Sequence, residues 1–240
     1  MNGLSTGLFA IAALAAVWSP AAVAGQQSKP SPNFDWAGPY VGIEGGGAWG
    51  SARQTDPGFD SGGFNVRGGL VGGTLGYNWQ LPPGAVLGLE GDISWASIKG
   101  STTGVAGQTG GCGGLPFHCE ADLQALGTLR ANVGVPVPQM GNLLPYLTGG
   151  LAVGSLHGKE GDVLANGAVG SGSVIRVGWT AGAGLAAKLN KRWTAKLEYL
   201  FVDLCKGGVF TDTLPSPPPQ RESIRFSTNI VRLGLDYKFN

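Results

Sequence analysis

Seven charged side chains occur among glycines and threonines at alternate positions, which makes them the first candidates for chemistry in this sequence. They are Glu44, Glu90, Asp92, Arg130, Lys196, Glu198 and Arg232. If these positions face a common interior, the charges line a pore or relay protons, or they pair into a salt-bridged plug. Ions buried in a narrow space are tolerated only when they are paired. The sequence favours the plug, and both interpretations remain open at this point.

Residues of the kinds that commonly perform catalysis are scarce. The two histidines, His118 and His157, fall in segments predicted to be outer loops, and neither shares a strand depth with an acidic residue. A nucleophile–histidine–acid site needs such a match. The stretch Gly182-Ala183-Gly184 fits a dinucleotide fingerprint superficially, but strand-like alternation continues where a helix would be required. We therefore expect no catalytic residues and no cofactor, and the protein is not expected to be an enzyme.

Strands must position the seven charges, and the last ten residues show the pattern that predicts them. Within 231–240, apolar residues alternate with small or charged ones; the apolar members are Val231, Leu233, Leu235, Tyr237 and Phe239. A strand points successive side chains to opposite faces, so this pattern predicts one apolar and one polar face. It recurs in eight segments, at 38–50, 68–80, 85–96, 121–134, 143–154, 174–189, 193–204 and 225–239.

The connections between these segments alternate in length. Those at 81–84, 135–142 and 190–192 are short, whereas the other four are predicted to span about 16 to 25 residues rich in Gly, Ser, Asp and Pro. Short periplasmic turns and long outer loops are typical of outer-membrane barrels. Each segment also supplies the nine to eleven tilted residues that a spanning strand needs.

The content of the two faces decides which one is inside. A lipocalin-like barrel would place the apolar face inward, but its water-facing surface would be crowded with Lys and Glu rather than Gly. Placing Arg130 or Arg232 in lipid near mid-membrane would cost roughly 2–4 kcal/mol each. We therefore predict an all-β fold, an eight-stranded antiparallel up-and-down transmembrane β-barrel, with the charges inside.

Composition and the first residues agree with export to a membrane. Charged residues make up 13% of the chain, the net charge is +1 and 44 of the 240 residues are Gly, so nothing suggests nucleic acid as a partner. Residues 8–17 are apolar and Ala22-Val23-Ala24 resembles a signal cleavage site. The predicted organisation is a signal peptide at 1–24, a periplasmic leader at 25–35 and the barrel at 36–240.

Three cysteines remain to be placed. An exported chain favours a disulfide between Cys112 and Cys119, which lie close together in the second predicted outer loop. A metal site formed by these two and His118 would lack a fourth ligand at useful spacing, so no metal site is predicted. Cys205 is left over as a candidate free thiol.

Five motifs, taken in order, resemble the small outer-membrane β-barrel family of alphaproteobacteria, whose members are often labelled porin-like or opacity-related surface proteins. They are WAGPYVG (36–42), GGTLGYNWQ (72–80), GWTAGAG (178–184), WTAKLEYL (193–200) and VRLGLDYKF (231–239), and the likeness covers essentially all of 36–239. Two departures are Ala186, where the family often has an acidic residue, and Asn240, which follows the usual final aromatic residue.

The resemblance implies an integral protein of the bacterial outer membrane with lipids and lipopolysaccharide around it. It also implies that the barrel-assembly machinery reads the last strand, with Tyr237 and Phe239 as the signal, and that periplasmic chaperones assist. We expect a structural and surface-interaction role in the envelope. The alternatives are a narrow porin-like channel for small solutes and, less in keeping with the residues, a lipid-modifying enzyme. The sequence leaves the oligomeric state open.

Overall fold

A computed structural model describes residues 34–56, 59–60, 63–82, 84–103, 117–137, 141–162, 167–211 and 221–239. The predicted signal peptide, most of the predicted leader, Cys112 and the proline-rich stretch at 214–220 lie outside these residues. The proposed domain boundaries at 24 and 35 therefore stay predictions. Among the described residues, no helix is long and apolar enough to cross a bilayer.

In the described residues, nine strands follow one another in an antiparallel sheet that closes on itself. They are β1 (Gly38–Asp56), β2 (Phe59–Asp60), β3 (Phe64–Gln80), β4 (Val86–Thr103), β5 (Phe117–Gly134), β6 (Leu143–Asp162), β7 (Gly167–Lys188), β8 (Trp193–Thr211) and β9 (Arg221–Lys238). The two residues of β2 pair only with the end of β1. Pairing of β1 with β9 closes the ring. The predicted eight-stranded up-and-down barrel is thus confirmed.

The ends of the strands match the prediction at one end of the barrel only. One end of the barrel carries the turns 81–85, 135–142 and 189–192, and we call it the turn end. There the observed strand limits lie within one residue of the predicted ones. At the opposite end, the loop end, strands run much further. Strands β6 and β7 reach Asp162 and Gly167, so only 163–166 connect them and the predicted loops of about 16 to 25 residues are wrong.

Local chemistry explains the tight turns. Gly84 has a φ of 127°, a conformation that side chains disfavour, and its amide donates to the Leu81 carbonyl at 2.6 Å. In the β7–β8 turn, Asn190 Oδ1 accepts the amides of Arg192 at 2.8 Å and Trp193 at 2.9 Å. Both turns therefore hold their hairpins in register.

The outward face is an apolar band near the turn end. Its exposed residues include Val41, Ile43, Val71, Leu75, Leu89, Ile93, Leu129, Leu147, Leu151, Val177, Leu197 and Leu233. Aromatic side chains rim the band at both edges; they include Tyr77, Trp79 and Trp193 at one edge and Trp49, Trp95 and Trp179 at the other. From Leu87 to Trp95 the band spans about 27 Å along β4, which fits a tilted strand crossing hydrocarbon.

Beyond the band, towards the loop end, the two faces exchange character. The inward residues there form an apolar core that includes Phe64, Val66, Leu70, Ile98, Leu123, Leu126, Leu156, Leu200, Val202, Leu204, Ile224, Phe226 and Ile230. The sequence pattern predicted charged and small residues on the inward face and assigned the residues beyond the predicted segments to outer loops, so the apolar core is a correction. Its reason is that strands that continue past the lipid meet water outside, and there the apolar face packs inward.

Candidate functional site

All seven predicted charges point into the barrel and are buried. They come from β1, β4, β5, β8 and β9, at the level of the apolar band. Register brings them together: Glu90 is the direct cross-strand partner of Arg130, and Glu198 is the partner of Arg232. We call this set, together with Asp236 described below, the ion network.

Arg130 lies at the centre of the network with no exposed surface. Its guanidinium contacts Glu90, and it reaches Asp92 at 3.1 Å and Glu198 at 3.2 Å. Thr128 Oγ1 accepts from Nε at 2.9 Å. One side chain on β5 therefore ties β4 to β8 across the lumen.

Arg232 connects the other side of the lumen. Its Nε donates to Glu198 at 2.7 Å, and its Nη1 contacts Glu44 and lies 3.3 Å from Asp92. Ser94 Oγ donates to Glu44 at 3.0 Å. Since guanidinium and carboxylate groups form strong charge-assisted hydrogen bonds, these contacts compensate much of the cost of burying the charges.

Lys196 adds a third cation and brings in a residue that was not among the predicted site residues. Its ammonium lies 2.6 Å from Glu90 and 3.1 Å from Asp236. Asp236 is one of the small or charged residues that alternate with the apolar ones in 231–240, and it is not among the seven predicted charges. Asp236 lies four residues after the inward Arg232, on the same face of the strand, and this spacing was the signal that could have placed it.

Two tyrosines complete the network, and the sequence analysis missed both. The Tyr40 hydroxyl donates to Glu90 at 2.6 Å, and the Tyr146 hydroxyl donates to Glu198 at 2.7 Å. Each ring lies over a glycine, Gly76 and Gly184 respectively, where a β-carbon would collide with it. Both tyrosines follow a proline at an inward position, which is the sequence signal that was overlooked.

The two halves of the barrel carry the same interior residues in the same strand order. In the first half the order is Tyr40, Gly76, Glu90 and Arg130 on β1, β3, β4 and β5; in the second it is Tyr146, Gly184, Glu198 and Arg232 on β6, β7, β8 and β9. The ion network is therefore built from two similar four-stranded units that share their charges across the lumen.

Apolar layers lie on both sides of the network. Towards the loop end the apolar core fills the interior. Towards the turn end, Trp36 packs with Val86, Leu144, Tyr146 and Ala186.

The residues before β1 hold Trp36 in place at the turn end. The Trp36 amide donates to Gln80 Oε1 at 3.0 Å, and the Lys188 ammonium lies 5.0 Å from the centre of its ring. Asp35 pairs with Lys238 at 2.6 Å, and this hydrogen bond lowers the pKa of the Asp35 carboxyl below its ordinary value. The interior is thus layered as apolar, ionic and apolar.

A cavity separates Trp36 from the network. It measures about 40 Å³, and its lining includes Trp36, Asn132, Lys196 and Asp236. Three buried polar atoms facing this region, Trp36 Nε1, Asn132 Oδ1 and Asp236 Oδ1, have no protein partner. Such a polar lining suits water molecules.

The prediction for the histidines is wrong in two respects. His118 and His157 lie on β5 and β6 rather than in loops, because the strands run beyond the band. Acidic groups are near both: His118 lies 3.2 Å from Glu120, and the cross-strand partner of His157 is Asp122. His157 Nδ1 also lies 2.8 Å from Ser173 Oγ.

The cysteines and the terminal aromatics are placed in part. Cys119 is buried and disulfide-bonded, but Cys112 lies outside the described residues, so the Cys112–Cys119 pairing stays a prediction. Cys205 is exposed and free. Tyr237 lies with its ring centre 5.1 Å from that of Trp193 and 5.5 Å from that of Phe239, at the turn-end edge of the band.

Known outer-membrane proteins are similar to this chain over most of its length. The family model of the outer membrane protein beta-barrel domain matches residues 9–239. The 31 kDa outer-membrane immunogenic protein of Brucella melitensis is 36% identical over 97% of this chain and 95% of that protein. The 22 kDa outer membrane protein of Rhizobium leguminosarum is 30% identical over 89% of this chain and 83% of that protein. The crystal structure of OprG from Pseudomonas aeruginosa matches 85% of this chain and 97% of that one, with a TM-score of 0.48 and 14% identity.

Proposed function

The chain belongs to the outer membrane protein β-barrel family, and from this premise we propose that it is a plugged barrel that anchors a surface-exposed structure rather than a channel. It is an integral protein of the bacterial outer membrane with a structural and surface role in the envelope. In such barrels the hairpins that end close to the membrane face the periplasm, and the hairpins that extend further face the cell surface. The turn end is accordingly assigned to the periplasm and the loop end to the cell surface.

The layered interior is the observation that supports the plug. A conducting lumen needs a continuous aqueous path, whereas eight strands leave an interior that side chains fill. Here the filling consists of paired ions between two apolar layers, and Phe226, Leu204 and Ile98 are almost fully buried in the layer towards the surface. An ion crossing this layer would lose its hydration without gaining a partner.

The extended hairpins support the surface role. Strands β4 to β9 continue well beyond the band, so the apolar core holds a rigid extension above the membrane. The name of the Brucella relative describes that protein as immunogenic. We propose that the extension of this chain is likewise accessible at the cell surface and is the part that meets partners.

We further propose that the protein has no catalytic activity. His157 and Ser173 form a hydrogen bond, but Asp122 pairs with Lys99 at 3.6 Å, and the strand ladder engages the main-chain amides that an oxyanion hole would need. Outer-leaflet lipid incubated with the purified protein should be recovered with unchanged mass. If the protein removed an acyl chain from the lipid, and the Ser173→Ala variant did not, this proposal would be contradicted.

Single-channel recording tests the plug. Purified, refolded protein in a planar bilayer should give no steady conductance steps, because the apolar layer excludes hydrated ions. A matched variant, Leu204→Ser/Phe226→Ser, removes part of that layer and should show brief openings in its folded form. Steady, large steps from the unmodified protein would contradict the plug and favour the channel.

A further inference from the structure

A cationic pair lies on the outer wall of the barrel, just beyond the edge of the apolar band towards the loop end. Arg67 on β3 and Lys99 on β4 are direct cross-strand partners, and both side chains point outward. Like charges directly opposite each other destabilise a sheet. Their juxtaposition at this position therefore calls for an anion that neutralises them.

The described residues supply only part of that neutralisation. Lys99 lies 3.6 Å from Asp122, and its side chain is 64% exposed. Within the described part of the chain, Arg67 has no carboxylate at salt-bridge distance. A guanidinium is planar and matches two oxygens of a phosphate, so an unpaired exposed arginine beside a lysine fits a phosphate group well.

The level of the pair along the barrel indicates where the phosphate comes from. Arg67 is also the cross-strand partner of Trp49, an aromatic residue at the edge of the band. Two residues closer to the band on the same face of β3, Gly69 pairs with Ser97. Two residues closer again, Val71 pairs with Trp95. Arg67 thus lies about 13 Å along the strand from the last exposed apolar pair, within reach of headgroups for a long side chain that bends back.

The surroundings of the pair suit a sugar headgroup more than a free ion. One open depression on the outer wall contains Trp49, Arg67, Lys99, Asp122 and His157. Carboxylate and imidazole groups beside the cations accept or donate hydrogen bonds to hydroxyls. Below them the small side chains of Gly69 and Ser97 leave the wall open as far as the exposed Trp95, where an acyl chain of the same lipid would lie.

We propose that Arg67 and Lys99 form a binding site for the phosphate of a phosphorylated glycolipid in the outer leaflet. The resemblance implied contact with lipopolysaccharide, and this proposal names the residues that make the contact. It rests on the outer-membrane location and the assigned orientation of the barrel. Whether the lumen conducts does not affect it.

Lipid titration of the refolded full chain in detergent tests the site. The probe is lipid A carrying both phosphates, and binding is measured by native mass spectrometry and by thermal shift. Arg67→Ser/Lys99→Ser should weaken binding by about tenfold or more, since two charge-assisted phosphate contacts are lost. Arg67→Lys, which keeps the charge but loses the planar fork, should weaken it less.

A control variant removes two positive charges at the opposite end of the barrel. Lys191→Ser/Arg192→Ser lies in an exposed turn at the turn end and should bind lipid A as the unmodified protein does. Equal loss in both double variants would overturn the site, as would equal binding of fully dephosphorylated lipid A. Full displacement of lipid A by an equal concentration of inorganic phosphate would also overturn it, because the site would then recognise an anion without its lipid.

Discussion

Arg130 and Arg232 each contact carboxylates on more than one other strand. Arg130 reaches Glu90, Asp92 and Glu198, and Arg232 reaches Glu44, Asp92 and Glu198. Each of the two arginines therefore holds strands that are not adjacent in the sheet. At the scale of residues, the ion network acts as a set of struts across the lumen.

Removal of one strut should destabilise the barrel strongly. Arg130→Ala removes one of the three buried cations of the network and leaves Glu90, Asp92 and Glu198 with only Lys196 and Arg232 to compensate them. Breaking a buried ion network in this way costs about 3–5 kcal/mol. The measurement is the temperature at which the folded band converts to the unfolded band on heat-modifiability gels. Arg225→Ala, which removes an exposed arginine paired with Asp203, is the matched control and should change that temperature little.

The same variant separates the plug from a pore lining. With the apolar layers intact, Arg130→Ala should leave planar-bilayer conductance near the baseline while the unfolding temperature falls. A large rise in conductance with unchanged thermal stability would contradict the plug.

The alternation of residues along each strand predicted which charged side chains face inward. It did not predict which of them contact each other across the lumen. Alternation placed Glu44, Glu90, Arg130 and Arg232 on one face, and the structure gathers them through cross-strand register. Tyr40 and Tyr146 escaped because they are amphipathic: their rings pack on glycine, and only their hydroxyls enter the network. The pairing of particular ions depends on barrel closure, which a single strand does not encode.

At the scale of elements, each long strand contains two opposite patterns joined end to end. In β9, Leu233 and Val231 face outward within the band, whereas Ile230, Phe226 and Ile224 face inward beyond it. Adjacent apolar residues mark the change, as Ile230 and Val231 do here and Leu70 and Val71 do in β3. The predicted strand ends rest on the first pattern alone, so the strands are predicted too short and His118 and His157 are assigned to loops.

The two patterns predict different costs for apolar truncation in one strand. Phe226→Ala creates a cavity in the apolar core and should cost about 3–5 kcal/mol of folding stability. Leu233→Ala, a control on the lipid-facing side of the same strand, loses only contact with lipid and should cost under about 2 kcal/mol. Urea unfolding of the barrel in lipid vesicles measures both, and equal costs would contradict the exchange of faces.

At the scale of the whole molecule, the barrel combines a membrane-spanning lower part with a water-exposed upper part. The lower part is apolar outside and ionic inside, and the upper part is polar outside and apolar inside. Fold class and closure followed from the alternation, whereas the predicted long connections proved to be mostly strand. The height of the barrel above the membrane did not, because alternation alone does not show which solvent each face meets.

Spin-label accessibility on the outward face of β9 tests the central claim most directly. In a Cys205→Ser background, single labels at Leu233→Cys, within the band, and Arg225→Cys, eight residues further towards the loop end, are compared in lipid vesicles. Both original side chains are exposed, at 66% and 63%, so neither label disturbs the interior. We expect the label at 233 to collide with dissolved oxygen and that at 225 with a water-soluble nickel chelate. Nickel access equal at both positions, in a protein that stays folded without lipid or detergent, would contradict the membrane-spanning barrel.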